Sequence, residues 1–266
     1  MTSGDDRLRP GAALFPSPRN GMALRDANGN LFDLALDDDT STAVRAALTG
    51  HGQPPDELAA FREAGHLGHR RPWPEDRARI GVIAQPEITQ ALTAQLRRAG
   101  AIPVPVTADA VDTTGVHAVC AVQDGPAPAW WTELDSLLGL GIGWQRVYRE
   151  GRHVLFEPIA DDLPHTDVRA RRLAAAGSGH EHLTTYWTSC AAKEAVLGDE
   201  HLTAAEITLV CAMAAQDLER WARGTAHRTS ALVPEAVPAS RRLRVVDLDT
   251  AAISDHPVLP VPPCAP

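Results

Sequence analysis

Short alternating runs of apolar residues open the chain. Leu8–Phe15, Gly21–Arg25 and Asn30–Leu36 each read as a strand. Asp26-Ala-Asn28-Gly29 between the last two reads as a hairpin turn, because Asn and Gly tolerate positive φ. Asp37–Asp39 with Thr40 and Ser41 then supplies a cap and negative charge for the start of a helix, roughly Thr42–Leu48, which Gly50 closes. Pro55, Asp56 and Glu57 open a second helix with Leu58, Phe61 and Ala64 on one face, ended by Gly65-His-Leu-Gly68. Arg70-Arg-Pro-Trp-Pro74 reads as a linker, since its prolines interrupt regular structure. Three strands followed by two helices within residues 1–72 predict a small winged helix-turn-helix-like module.

From Arg79 the period changes. Ile80–Ile83 is a short buried strand, and Ile88, Leu92 and Leu96 recur every four residues in the helix that follows. Gly100 stops that helix, and Ile102–Val106 and Val116–Val122 are two more strands. Trp130–Leu138 reads as a helix, leading through Gly141-Ile-Gly-Trp144 to strands at Gln145–Tyr148 and Val154–Phe156. Strand-helix-strand at this spacing predicts a parallel α/β unit. Helices are expected over Asp167–Ala176, Glu181–Leu197 and Ala204–Arg223. The last carries a stripe of Ile207, Val210, Cys211, Ala214, Leu218 and Trp221. Leu243–Leu248 is a strand, and His256-Pro-Val-Leu-Pro-Val-Pro-Pro263 is extended, since proline cannot continue a helix.

Charge narrows the function classes. The 266 residues carry 25 basic and 34 acidic side chains, a net charge of −9. Such a chain is a poor partner for a phosphate backbone, so nucleic acid is not expected. The first 70 residues alone hold ten acids against seven arginines. No signal peptide pattern opens the sequence, and no apolar run approaches the ~18 residues of a membrane span. Cys120, Cys190, Cys211 and Cys264 form no C-x-x-C pair, which suits reduced thiols in the cytoplasm.

Candidate chemistry is sparse. The first βα turn reads Ala84-Gln85-Pro86-Glu87, with no G-x-G-x-x-G and no P-loop anywhere, and Glu87 puts negative charge where a pyrophosphate would sit. His165, His180, His182 and His201 match no zinc spacing, and exposed histidines at a helix entry are the default reading. Cys190 lies eight residues from His182, about 12 Å along a helix, too far for a nucleophile–base pair. Asp161-Asp162 reads as a helix cap. Arg169, Arg171 and Arg172, and Arg70, Arg71, Arg77 and Arg79, form two basic clusters, either solvated or docking an acidic partner.

Several segments taken together resemble one family. Arg9-Pro-Gly11 with the three strands and two helices resembles the peptide-recognition module of pathways that modify ribosomal peptides. Arg79–Phe156, with Trp131, Leu137-Leu138, Gly141-Ile142 and Trp144, resembles the E1-like (ThiF-like) cyclodehydratase partner proteins of azole and azoline peptide biosynthesis. So do Asp167–Ala175, Ala204–Arg223 and the ending Val245-Val-Asp-Leu with His256-Pro-Val-Leu-Pro-Val-Pro262. The resemblance runs from about Arg7 to Cys264.

It implies two parts: a leader-peptide recognition module over 1–72, and a reduced E1-like α/β scaffold over 78–266 with a degenerate nucleotide site and a helical C-terminal part. It implies a non-catalytic subunit that binds the leader of a precursor peptide and presents it to a separate YcaO enzyme, which uses ATP to form thiazolines and oxazolines. Paired cysteines that hold structural zinc in the family are not matched here, so neither metal nor cofactor is expected. The leader would add as a strand beside Asn30, Leu31, Phe32, Asp33, Leu34 and Ala35, with Leu58, Phe61 and Arg62 across the groove. Which side chains face the peptide, and whether Phe32, Leu34, Leu58 and Phe61 are simply core, stays open on sequence alone. An active ATP-dependent adenylating enzyme and a winged-helix DNA regulator are the two rival readings, and a homodimer is the oligomer left open.

Overall fold

The computed structural model describes residues 7–18, 21–68, 72–113, 115–160, 162–198, 201–224 and 237–262. Arg70, Arg71, Asp161 and Cys264, singled out above, lie outside them. The described residues fall into two units, one running through Pro72 and one from Trp73 onwards.

In the first unit β1 (Ala13–Pro16), β2 (Met22–Arg25) and β3 (Leu31–Leu34) form an antiparallel sheet in the order β1-β2-β3. The strand expected from Leu8 starts only at Ala13. Gly11 turns the chain with φ +87°, and Leu8 makes a single bridge to Leu67 instead. The Asp26 carboxylate closes the β2–β3 turn, accepting from the Asn28 and Asn30 amides and from the Asn30 side chain, each at 2.8 Å.

Helix α1 (Asp38–Leu48) begins four residues earlier than expected, because the Asp37 side chain caps it by accepting from Thr40 N at 2.7 Å. Helix α2 spans Leu58–Glu63, and Gly65 follows it at φ +70°. Leu24, Val44, Leu58, Phe61 and Leu67 are the buried core. Each such burial contributes about 1.5–3 kcal/mol, so a core this small has little reserve.

The second unit is built on a seven-stranded mixed sheet. Its strands are β4 (Arg79–Ile83), β5 (Ile102–Pro105), β6 (Ala118–Gln123), β7 (Gly143–Glu150), β8 (His153–Phe156), β9 (Arg242–Asp247) and β10 (Ile253–Pro257). They lie in the order β10-β9-β8-β7-β6-β4-β5. The pairings β5–β4, β4–β6 and β6–β7 are parallel, and the remaining three are antiparallel. Pro103 and Pro105 confine β5 to an edge, because proline has no N–H to donate to a further strand.

Alternation along β6 sorts the two faces. Ala118, Cys120 and Val122 meet α3 (Pro86–Ala99) and α6 (Ala204–Ala222), whose Ile88, Leu92, Leu96, Val210, Cys211, Ala214 and Leu218 fill that layer. Val119 and Ala121 meet Trp131, Leu134 and Leu137 on the opposite face. These three come from a 3-10 helix, Ala129–Leu140, which covers the helix expected at Trp130–Leu138. Helix α4 spans His165–Ala175, and α5 spans His180–Ala191. The latter stops well short of the expected Leu197, because Lys193 turns left-handed at φ 58° and its N–H donates back to Cys190 O.

Candidate functional site

The β3 edge is the first candidate. Ser17 N donates to Gly21 O, and Asp26 N donates to Asn30 O. Hydrogen bonding alternates along an antiparallel ladder, so β2 turns residues 22 and 24 towards Leu34 and Phe32. The backbone N–H and C=O of Leu31 and Asp33 therefore point away from β2. No other strand of the described residues pairs there, since β3 ends its sheet.

Side chains alternate across the same edge. Leu14, Leu24 and Phe32 are cross-strand neighbours, and with Leu34 they lie on the side covered by α1 and α2. Leu31 and Asp33 occupy the other side, where Asp33 accepts a hydrogen bond from Ser17 Oγ at 2.8 Å. Leu31 is 67% exposed and Phe32 43%, among the largest apolar exposures of the unit.

The structure gathers Asn30 to Ala35 onto this edge but leaves Leu58 and Phe61 inside the core. Arg62 is exposed on α2. One residue that sequence reasoning missed, His66, joins the two groups. Its ring lies 5.7 Å from Phe32 and 6.4 Å from Phe61. An aromatic held between two glycines after a helix was the available signal.

In the second unit β5 and β6 flank β4, so the carboxyl ends of β4 and β6 form the switch point where parallel sheets bind ligands. Helix α3 starts there with Pro86 at its first position and Glu87 in its first turn. A carboxylate and a proline stand where a pyrophosphate needs N–H donors. After β6, the Asp124 carboxylate takes Arg149 Nε at 2.6 Å and Leu202 N at 3.0 Å, with His201 Nδ1 at 3.3 Å. Burial pushes this carboxyl up, but those partners outweigh burial and hold it below its ordinary range.

Beneath α4 lies a buried polar network, which corrects the exposed position expected for His165. That side chain is fully buried, with Nδ1 2.9 Å from a Glu157 carboxylate oxygen. Glu157 also meets Arg146 Nε at 2.7 Å, and all three side chains are dry. Burial raises the Glu157 carboxyl, but the His165 and Arg146 charges outweigh it and bring it below the usual value. Asp135 caps α4 by accepting from His165 N at 2.7 Å and Thr166 N at 3.1 Å. Asp162, expected to cap, instead grips Arg241 at 2.7 and 2.8 Å.

The arginines of α4 are occupied within the unit. Arg172 pairs with Glu150 and donates to Tyr148 Oη, Arg169 stacks 4.2 Å over Trp187, and Arg171 donates to the carbonyls of Leu259 and Pro260. In the other cluster Arg77 donates to Trp221 O, and Arg79 Nε donates to Gly115 O.

Cys190 and His182 sit eight residues apart on α5, as the spacing implied. Burial pushes the Cys211 thiol up to about 12 and raises the Cys120 thiol well above its ordinary value, which makes both poor nucleophiles. Among the described residues no group of three or more His, Cys, Asp or Glu side chains could hold a metal. Nor is any of their helices long and apolar enough to cross a membrane.

No family model and no curated protein matches the chain. Solved structures do. A heterocyclase in complex with substrate and cofactor matches 96% of this chain at 12% identity and a TM-score of 0.63. The chain spans only 38% of that heterocyclase's length. Escherichia coli MccB matches over 96% of this chain and 95% of its own, at 8% identity and a TM-score of 0.57. A chain of the Escherichia coli microcin synthetase McbBCD complex with pro-MccB17 bound matches over 97% and 98%, at 10% identity and a TM-score of 0.52. The chain thus has the mixed α/β fold found in heterocyclase and microcin-synthetase chains.

Proposed function

We propose that this chain is the non-catalytic leader-peptide-binding component of a cyclodehydratase. In this reading the first unit is a winged helix-turn-helix-like module that takes a precursor peptide as a fourth strand on β3. A separate ATP-dependent YcaO enzyme then forms thiazolines or oxazolines on the presented core. The observation that carries the reading is the open β3 edge, with two large apolar side chains exposed beside outward-directed backbone groups. The likeness to heterocyclase and synthetase chains supports it at the level of the fold.

The likeness to MccB keeps an adenylating enzyme in view. The switch point argues the other way, because Pro86, Glu87 and the engaged Asp124 offer an anion little to bind. Titration of the purified protein with the fluorescently labelled leader of its own pathway decides the matter. Saturable binding is the expected result. Absence of binding, or pyrophosphate release by this protein alone in response to peptide, would overturn the reading.

A further inference from the structure

On β3, Leu31 and Asp33 are the two residues whose backbone groups point away from β2. A strand that continues the antiparallel pattern of β1, β2 and β3 must bond to them. The ladder then fixes what each of its side chains meets. The peptide residue bonded to Leu31 stands directly opposite it, with Cβ atoms about 5 Å apart, on the side turned away from α1 and α2. The next peptide residue stands opposite Phe32, on the helix side, because successive side chains of a strand alternate between faces.

The two sides offer unlike surfaces. On the helix side Phe32 is 43% exposed beside His66, and the following residue of that side, Leu34, is half-buried against the core. On the other side Leu31 is 67% exposed, and its cross-strand neighbour on β2 is the exposed Arg25. The next residue on that side is Asp33, whose carboxylate accepts from Ser17 Oγ. The apolar surface turned away from the helices is therefore one residue long. Neither Leu31 nor Phe32 belongs to the core of the unit. An added strand would take both out of water in one step, because the backbone groups it must bond lie at Leu31 itself.

We propose that Leu31 is a specificity-determining residue of the peptide site, and that the leader is read through two consecutive apolar residues, one on each side of the added strand. The inference rests on the leader-binding reading above and names the class of peptide that site takes. A strand laid on an edge with one apolar side would be read at every second residue. Here Phe32 selects one side chain and Leu31 selects its immediate neighbour in the sequence.

The test is fluorescence anisotropy of the full chain with the labelled leader of its own pathway, substituted by aspartate one position at a time. The two most damaging positions should be adjacent in the leader. Leu31→Ala, which changes only an exposed side chain, should keep the parent's circular dichroism and lose up to about fivefold in affinity, the scale of one cross-strand pair. Leu31→Lys should lose affinity for the parent leader and regain it, several-fold, with aspartate at one of the two positions. At the other, aspartate should stay as damaging as before, because Phe32 is unchanged. Damaging positions that lie only two residues apart, Leu31→Ala at the parent's affinity, or no regain by Leu31→Lys at either position would each overturn the inference and leave the leader-binding reading standing. Failure of the parent chain to bind its leader sinks both.

Discussion

The ring of Phe32 lies 5.7 Å from the ring of His66, inclined by 50°, and His66 in turn meets Phe61 edge-on. This row of rings runs from the core of the first unit to its open strand edge. A peptide strand laid on β3 would set its helix-facing side chains against Phe32 and His66. Phe32→Ala should therefore weaken leader binding about tenfold, the usual scale for an aromatic anchor, while the unit stays folded. Phe61→Asp is a different experiment, because Phe61 is core. It should melt the unit, visible as lost helical dichroism.

Leu31→Pro tests the strand-addition geometry directly. The Leu31 N–H points away from β2, so proline there removes a donor that the sheet of the first unit does not use. The variant should keep its dichroism and lose most of its leader affinity. Phe32→Pro, whose N–H faces β2, should instead disrupt the sheet. Leader binding by Leu31→Pro at the parent's affinity would mean that the peptide does not pair with this edge.

Glu157 makes the second unit acid-sensitive. Its carboxyl sits below the ordinary 4.5 in the folded chain through His165 and Arg146, despite the opposing effect of burial. The stability it contributes is complete above the unfolded value and is lost as pH falls through the lower folded value. Unfolding midpoints should therefore drop below about pH 4.5. Glu157→Gln should lower stability already at neutral pH, by up to about 3 kcal/mol, because it removes the carboxylate nearest the buried Arg146 guanidinium and leaves it the Pro158 and Leu163 carbonyls and Asp135 at 3.6 Å. Its acid limb should be flatter than the parent's in denaturant titrations followed against pH.

Gly143 marks a close approach in the second unit. A Cβ placed there would come within 2.7 Å of the Trp221 ring on α6 and 3.1 Å of Ala118 Cβ. The backbone is not left-handed at this position, so the constraint is one of space. Gly143→Ala should cost about 1–3 kcal/mol through overpacking, and a compensating Trp221→Leu should recover part of it in thermal melts.

The sequence was most legible where periodicity and local chemistry agree. Ile88, Leu92 and Leu96 are buried as their spacing predicts, and Val210, Cys211, Ala214 and Leu218 form the inner stripe of α6. Asp37 caps α1, and Asn28-Gly29 turns the β2–β3 hairpin. Reading failed where partners are distant in the chain. His165 became buried because Glu157 and Arg146 come from other elements, and Asp135, thirty residues away, does the capping expected of nearer aspartates. Lys193 ended α5 early without the glycine that usually announces such a stop.

At the candidate site the division is similar. The strand Leu31–Leu34 and its alternation were written in the local order of residues, which propensity and the two-residue period suffice to read. That this strand closes its sheet, that Phe32 shares the helix side with Leu34, and that His66 bridges it to Phe61 depended on pairing and packing. The same holds for the arginines of α4. Their charge was plain in the sequence, but whether they face solvent, Glu150 or the carbonyls of residues 259 and 260 was decided by which surfaces the folded chain brought within hydrogen-bonding reach. Local order fixes which elements form. Only three-dimensional proximity fixes which polar groups must satisfy one another once water is excluded.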